Sequence, residues 1–216
     1  EILRCLVGSE MCIRDRNDVD LCFSCINRLL VSHDLKPLDT LSQYREVFTF
    51  PIEDYYKRVG FDFDKIPFSM LAHEYMEDYQ EKSYACDLHS DVLDVVNKAK
   101  NLGFSQTVLS ASKMDYLLKQ METLHVDDLF DSIYGINDIY AKSKVELAHA
   151  FKQTCSLDDE IYFVGDSVHD YEVAKSIGAK CILVTTGHQN RATLESVNVP
   201  VMDSLMESLD LIYERD

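Results

Sequence analysis

From about Ser90 onward, short β-rich apolar runs alternate with segments whose apolar residues recur at helical spacing, and this alternation constrains the fold more than any other feature. The runs are Thr107-Val108-Leu109, Ile133-Tyr134, Ile161-Tyr162-Phe163-Val164 and Cys181-Ile182-Leu183-Val184-Thr185. Around them, Val92/Val95/Val96/Ala99, Met114/Leu117/Leu118/Met121, Val173/Ala174/Ile177 and Met202/Leu205/Leu209/Ile212 each line one face of a predicted helix. Strands with so few polar residues, separated by helices, imply an α/β fold with a parallel sheet covered on both faces. Such sheets carry their functional residues just past the carboxyl ends of the strands.

Residues 17–85 read differently. No strong strand run interrupts a series of helical patterns, which begins with Val19/Cys22/Phe23/Ile26/Leu29/Leu30 behind a cap expected at Asn17 or Asp18. Pro37, Pro51, Gly60 and Pro67 punctuate the segment, and its many tyrosines and phenylalanines are expected to pack helices against one another rather than to contact a ligand. Residues 1–16 fit neither region. Ile2-Leu3-Arg4-Cys5-Leu6-Val7 is strand-like, but Gly8 to Arg16 shows no clean period and no recognisable turn. The stretch resembles translated cloning or sequencing adaptor joined to a natural protein; the other reading is a divergent first strand.

Composition narrows the function classes. Asp and Glu number 38 against 21 Lys and Arg, a net charge of −17, so the average surface repels phosphate backbones and anionic lipids, and neither nucleic acid nor membrane is an expected partner. No apolar run approaches the roughly 20 residues of a bilayer-spanning helix, and the start lacks the pattern of a signal peptide. A soluble, cytoplasmic protein is expected. The seven cysteines are scattered and odd in number, which reads as reduced thiols. Cys5, Cys12, Cys22 and Cys25 fall close together, but reduced core or incidental thiols account for them better than zinc.

Three places carry candidate chemistry. In Phe163-Val164-Gly165-Asp166-Ser167-Val168-His169-Asp170 a strand ends in Gly-Asp and a second Asp follows four residues later at a helix start. Two such carboxylates are hard ligands suited to one Mg²⁺, or else they cap the Ser167 to Ile177 helix. In Val108-Leu109-Ser110-Ala111-Ser112 a strand delivers Ser110 and Ala111 to its end, with a helix expected at once behind Ser112 as N-cap. A hydroxyl and free helix N–H groups could cradle a phosphate, or Ser112 could simply cap. Lys144 begins a helix, where the dipole disfavours a lysine. An anion held between Ser110 and Lys144 would explain it, as would ordinary solvation. His169, beside the carboxylates, is expected to face solvent.

Hydroxyl after one strand, lysine before a helix, and Gly-Asp-x-x-x-Asp after the next strand together resemble the second, third and fourth motifs of the haloacid dehalogenase superfamily. With Gly178-Ala179 and Thr185-Thr186-Gly187 they look much like its phosphoglycolate phosphatase-like branch. The resemblance implies a Rossmannoid parallel sheet with helices on both faces (86–216) and a small all-helical cap (17–85). It also implies Mg²⁺-dependent hydrolysis of a small phosphorylated metabolite through an aspartyl-phosphate. Carried over by position, Ser110, with Ala111 beside it, would bind a phosphoryl oxygen, and Lys144 would neutralise the phosphoryl group and the nucleophile. Asp166 would bind Mg²⁺ directly, and Asp170 directly or through water. The substrate class spans small phosphorylated acids, sugars and nucleotides, phosphoglycolate among them.

The departure matters as much. The family's first motif, D-x-D-G-T, supplies the nucleophile and should precede the helical segment, and it is absent. Counting back from Asn17-Asp18-Val19-Asp20, the nucleophile's place falls near Glu10. Glu10, Asp15 and Asp18 are the nearest carboxylates, and none has the Gly-Thr turn, so no nucleophile is assigned. The chain as written is therefore expected to be an inactive copy of a phosphatase. A sheet that loses a central strand is expected to be marginally stable. The alternative is a non-catalytic module that keeps phosphate and Mg²⁺ binding. A receiver-like signalling domain is a third possibility, disfavoured by the helical insert and by Gly-Asp-x-x-x-Asp.

Overall fold

A computed structural model describes residues 4–9, 16–88, 90–136 and 144–214, with the side chains of Arg4, Ser9, Arg16 and Asn17 left aside. Six strands form one sheet in the order β3-β2-β1-β4-β5-β6. They are β1 Arg4–Ser9, β2 Phe104–Lys113, β3 Ser132–Ile136, β4 Glu160–Gly165, β5 Lys180–Val184 and β6 Val201–Met202. Every pairing is parallel. Chain order reverses across β1, between β2 and β4, and the crevice at such a reversal is where open α/β sheets bind ligands.

Between β1 and β2 come α1 (Arg16–Ser32), α2 (Leu41–Val47), α3 (Ile52–Arg58), α4 (Phe68–Ser83) and α5 (Val92–Asn101). Then follow α6 (Met114–Thr123), α7 (Lys144–Lys152), α8 (Val168–Ser176), α9 (Arg191–Glu195) and α10 (Leu205–Glu214). Period-two alternation sorts the strand residues onto two cores. Leu6, Val108, Tyr162, Val164, Ile182 and Val184 face the layer that holds Val92, Val95, Leu117, Leu209 and Ile212. Cys5, Val7, Ile161, Phe163, Cys181 and Leu183 face the layer of Ala148, Phe151, Val173, Ala174 and Leu194. The helices of both layers bury the faces their spacing predicted, except that Leu118 of α6 is exposed. The first four helices have a core of their own, built on Ile26, Leu30, Tyr44, Tyr55, Tyr56 and Leu71. Most of its aromatics pack within this core.

Four expectations change. Arg4–Ser9 fills the central place in the sheet, with Val7 fully buried and Cys5 and Leu6 nearly so, so the described sheet has no gap there. Asn17 and Asp18 do not cap α1: the helix already includes Arg16, and Asp18 is buried with its Oδ1 accepting from the Tyr79 hydroxyl at 2.7 Å. Ser112 is not an N-cap either, because β2 runs on to Lys113 through a register shift past Leu109, and α6 begins at Met114. Met202 belongs to β6 rather than to the last helix, since a two-residue strand beside β5 happens to fall on the helical period. Among the described residues, no helix is long and apolar enough to cross a membrane.

Candidate active site at the carboxyl edge of the sheet

The site grows out of the turn after β4. Gly165 ends the strand, and Asp166 is 2% exposed. Ser167 caps α8 in a reciprocal capping box with Asp170. Asp170 Oδ2 accepts from the Ser167 hydroxyl at 2.7 Å and from the Asp166 and Ser167 amides at 3.1 Å each. Its other oxygen, Oδ1, lies 2.5 Å from Lys144 Nζ, and the two side chains are 2% and 6% exposed. Lys144 opens α7 and also sits 5.7 Å from the centre of the Phe163 ring. The dipole therefore does not decide this lysine's place; a buried carboxylate does. Asp170 does cap, as one of its sequence readings held, and it also binds the lysine.

Glycines let the backbone come this close. A methyl group on Gly165 would overlap the Asp170 carboxyl, and one on Gly187 would overlap that of Asp166. Gly187 belongs to the loop after β5, where the His188 amide donates to Asp166 Oδ2 at 2.9 Å. Gln189 Oε1 accepts from the Val168 amide at 2.7 Å, tying the same loop to the first turn of α8.

Burial, and then the Asp170 charge, push the Asp166 carboxyl up from 3.8 to about 7, against the pull of the His188 amide and Lys144. Burial also acts upward on Asp170, but the Lys144 ammonium and the hydrogen bonds from Lys144, Ser167 and the Asp166 amide overcome it and hold that carboxyl below 3.8. The two acids thus differ in kind. Among the described residues, Asp170 is saturated with donors, whereas Asp166 is a buried carboxyl with less positive charge around it. Such an oxygen donor fits Mg²⁺, which takes one or two carboxylates and keeps several waters.

Ser110 lies across β1 from these groups. Register places Ser9 beside Leu109, one residue before Ser110, and Gly8 beside Val164, two before Asp166, so β1 ends between the strands that deliver both. Two strand spacings give roughly 10 Å between β2 and β4 backbones. Ser110 is 2% exposed and its Oγ accepts from the Ser112 amide at 2.8 Å, while Ala111 is exposed. The structure thus unites Lys144, Asp166 and Asp170 and sets Ser110 on the opposite flank. Glu10 and Asp15 lie outside the described residues.

The helical segment adds contacts that the sequence reading missed. The Tyr44 hydroxyl lies 2.6 Å from His188 Nδ1, Arg45 reaches the Thr186 carbonyl at 3.5 Å, and Phe48 stacks on His188 with ring centres 4.6 Å apart. His169 does not simply face solvent: it stacks on Phe50 at 4.9 Å. The only sequence signal for these contacts is the density of aromatics, which does not say which ring reaches across.

Comparison with known proteins follows the same lines. The family model described as haloacid dehalogenase-like hydrolase matches residues 16–184. Among solved structures, a haloacid dehalogenase-like family hydrolase from Streptococcus pneumoniae superposes with a TM-score of 0.80 at 18% identity, over 98% of each chain. A predicted phosphatase from Clostridium acetobutylicum gives 0.81 at 16% identity, over 99% of this chain and 100% of that one. A predicted phosphoglycolate phosphatase from Haemophilus somnus gives 0.72 at 15% identity, over 97% and 98%. No curated protein matches in sequence.

Proposed function

The chain belongs to the haloacid dehalogenase-like hydrolase family, and from that premise we propose that it is a phosphatase scaffold for a small phosphorylated metabolite that keeps its phosphate- and metal-holding residues but not its nucleophile. The single observation that carries this reading is Asp166. It is a buried carboxyl at the end of β4 that accepts from the His188 amide, while the nearby Lys144 ammonium is paired with Asp170, so among the described residues a cation at Asp166 would offset the excess negative charge.

Asp166 would hold Mg²⁺, which when bound would offset charge on the phosphoryl oxygens. Asp170, with both oxygens engaged, would act by fixing Lys144 and the turn rather than as a direct ligand. Lys144 would face the phosphoryl group from one side, and the Ser110 hydroxyl with the Ala111 backbone from the other. The helical segment 17–85 would cover the site as a cap and select the substrate, with Tyr44, Arg45 and Phe48 at its contact with the 186–189 loop. Small phosphorylated acids such as phosphoglycolate, sugars and nucleotides remain the substrate class.

We hold residues 1–16 to be adaptor-derived sequence that supplies a serviceable β1 without the D-x-D-G-T motif. Lacking that motif, the chain as written would bind without turnover, which is also the behaviour of a non-catalytic module. Calorimetry tests the shared claim. Inorganic phosphate should bind only with Mg²⁺ present, and about 10-fold more weakly in Ser110→Ala, the cost of one hydrogen bond to a charged group. Phosphate binding that ignores Mg²⁺ and Ser110 would contradict it.

A further inference from the structure

Beyond His188, a second set of donors meets in the interior. Asp18 and Cys22 stand four residues apart on one face of α1, and His188 projects from the loop after β5. One ligand atom from each lies within 4.8 Å of the other two. All three residues are buried, at 1%, 7% and 4% exposure. We propose that Asp18, Cys22 and His188 form a binding site for one zinc-class divalent cation, which would bridge the helical segment and the sheet.

The donor set argues for the metal. Carboxylate oxygen, thiolate sulfur and imidazole nitrogen together suit borderline-soft Zn²⁺ and its substitute Co²⁺, not Mg²⁺. Three protein ligands leave the fourth tetrahedral position to water. Tetrahedral bonds of about 2.0–2.3 Å set donors roughly 3.5 Å apart, and the three donors already lie within 4.8 Å of one another. Charge balances as well: one aspartate and one thiolate neutralise the dication, which makes the buried site neutral. The thiol proton of Cys22 passes to buffer when the metal binds.

Two of the donors are also braced by a tyrosine. Tyr79 donates to Asp18 Oδ1 at 2.7 Å, and Tyr44 lies 2.6 Å from His188 Nδ1. Outer partners of this kind orient metal ligands and fix the histidine tautomer. The site shares a residue with the sheet edge but not an atom, because Asp166 receives only the His188 backbone N–H. Nor is it the Cys22/Cys25 pair, since Cys25 is instead contacted by Arg28 at 3.2 Å.

The test is Co²⁺ titration of the metal-free full-length chain. The proposal expects one Co²⁺ per chain, tetrahedral visible absorption with a thiolate-to-cobalt charge-transfer band, and displacement by one equivalent of Zn²⁺. Cys22→Ser should abolish the charge-transfer band, and Cys155→Ser, in the separate Cys5/Cys155/Asp159 cluster, should leave it intact. Tyr44→Phe should keep the band and lower Co²⁺ affinity about 10- to 100-fold. If Cys22→Ser does not fold, loss of Co²⁺ binding in His188→Gln carries the same weight. No thiolate band in the parent chain, a band that survives Cys22→Ser, or one lost in Cys155→Ser would overturn the proposal.

Discussion

The carboxyl ends of β4 and β1 are neighbours in the sheet, yet they are specified in opposite ways. At β4, Gly165, Asp166, Ser167 and Asp170 answer one another through a capping box, two glycine-dependent close approaches and a buried ion pair. At β1 the strand is equally central and its Val7 equally buried, but among the described residues a methyl group on Gly8 would meet nothing within 4 Å. Burying apolar residues at period two is enough to make a strand. Making an active-site turn requires particular residues at every position. A segment of foreign origin can satisfy the first requirement and fail the second, and that is our account of residues 1–16.

The largest expected effect that would sharpen this contrast is at Lys144. Lys144→Met leaves Asp170 buried without its cation and should cost about 3–5 kcal/mol, read from urea or thermal unfolding; a loss under 1 kcal/mol would mean that the pair does not hold the turn. Next come the glycines. Gly165→Ala should destabilise by about 2–3 kcal/mol through overlap with Asp170. Gly8→Ala should be neutral or stabilise by up to about 1 kcal/mol. Equal losses at the two positions would remove the distinction between the strand ends.

Acidity separates the two carboxylates of the turn. Asp166, with its folded value raised from 3.8 to about 7, contributes stability that is complete below pH 3.8 and lost as pH rises through 7. Asp170, held below 3.8, contributes stability that is present above 3.8 and lost as pH falls through its folded value. The metal-free chain should therefore lose stability between about pH 4 and 7, and Asp166→Asn should flatten that slope. Mg²⁺ should reverse it by favouring the ionised form. Unfolding midpoints across this range, with and without Mg²⁺, provide the check, and a slope unchanged in Asp166→Asn would count against the assignment. The smallest effect concerns the helical segment: Tyr44→Phe removes one buried hydrogen bond to His188 and should cost about 1 kcal/mol in the same unfolding measurement.

Much of this was legible in the sequence for a physical reason. Continuous apolar runs such as Ile161 to Val164 mark strands buried on both faces, and Gly-Asp directly behind such a run marks a strand end that faces a crevice. The pairing of Lys144 with Asp170 was not legible, because 26 residues separate them and the contact exists only once α7 and α8 lie side by side. Ser112 and Met202 were misread because a local signal, a serine or a helical period, competed with strand pairing that the tertiary structure decides. His188 offered only a turn-like neighbourhood, although its amide meets Asp166 and its ring meets Tyr44.

The central claim is that the scaffold is intact and only the nucleophile motif is missing. Its most direct test is hydrolysis of an aryl phosphate with Mg²⁺, comparing the chain as written with one carrying Glu10→Asp, Met11→Phe, Cys12→Asp, Ile13→Gly and Arg14→Thr. Turnover confined to the repaired chain is the predicted result. Mg²⁺-dependent turnover by the unmodified chain would contradict it and would point to a carboxylate such as Glu10 or Asp15 as the nucleophile.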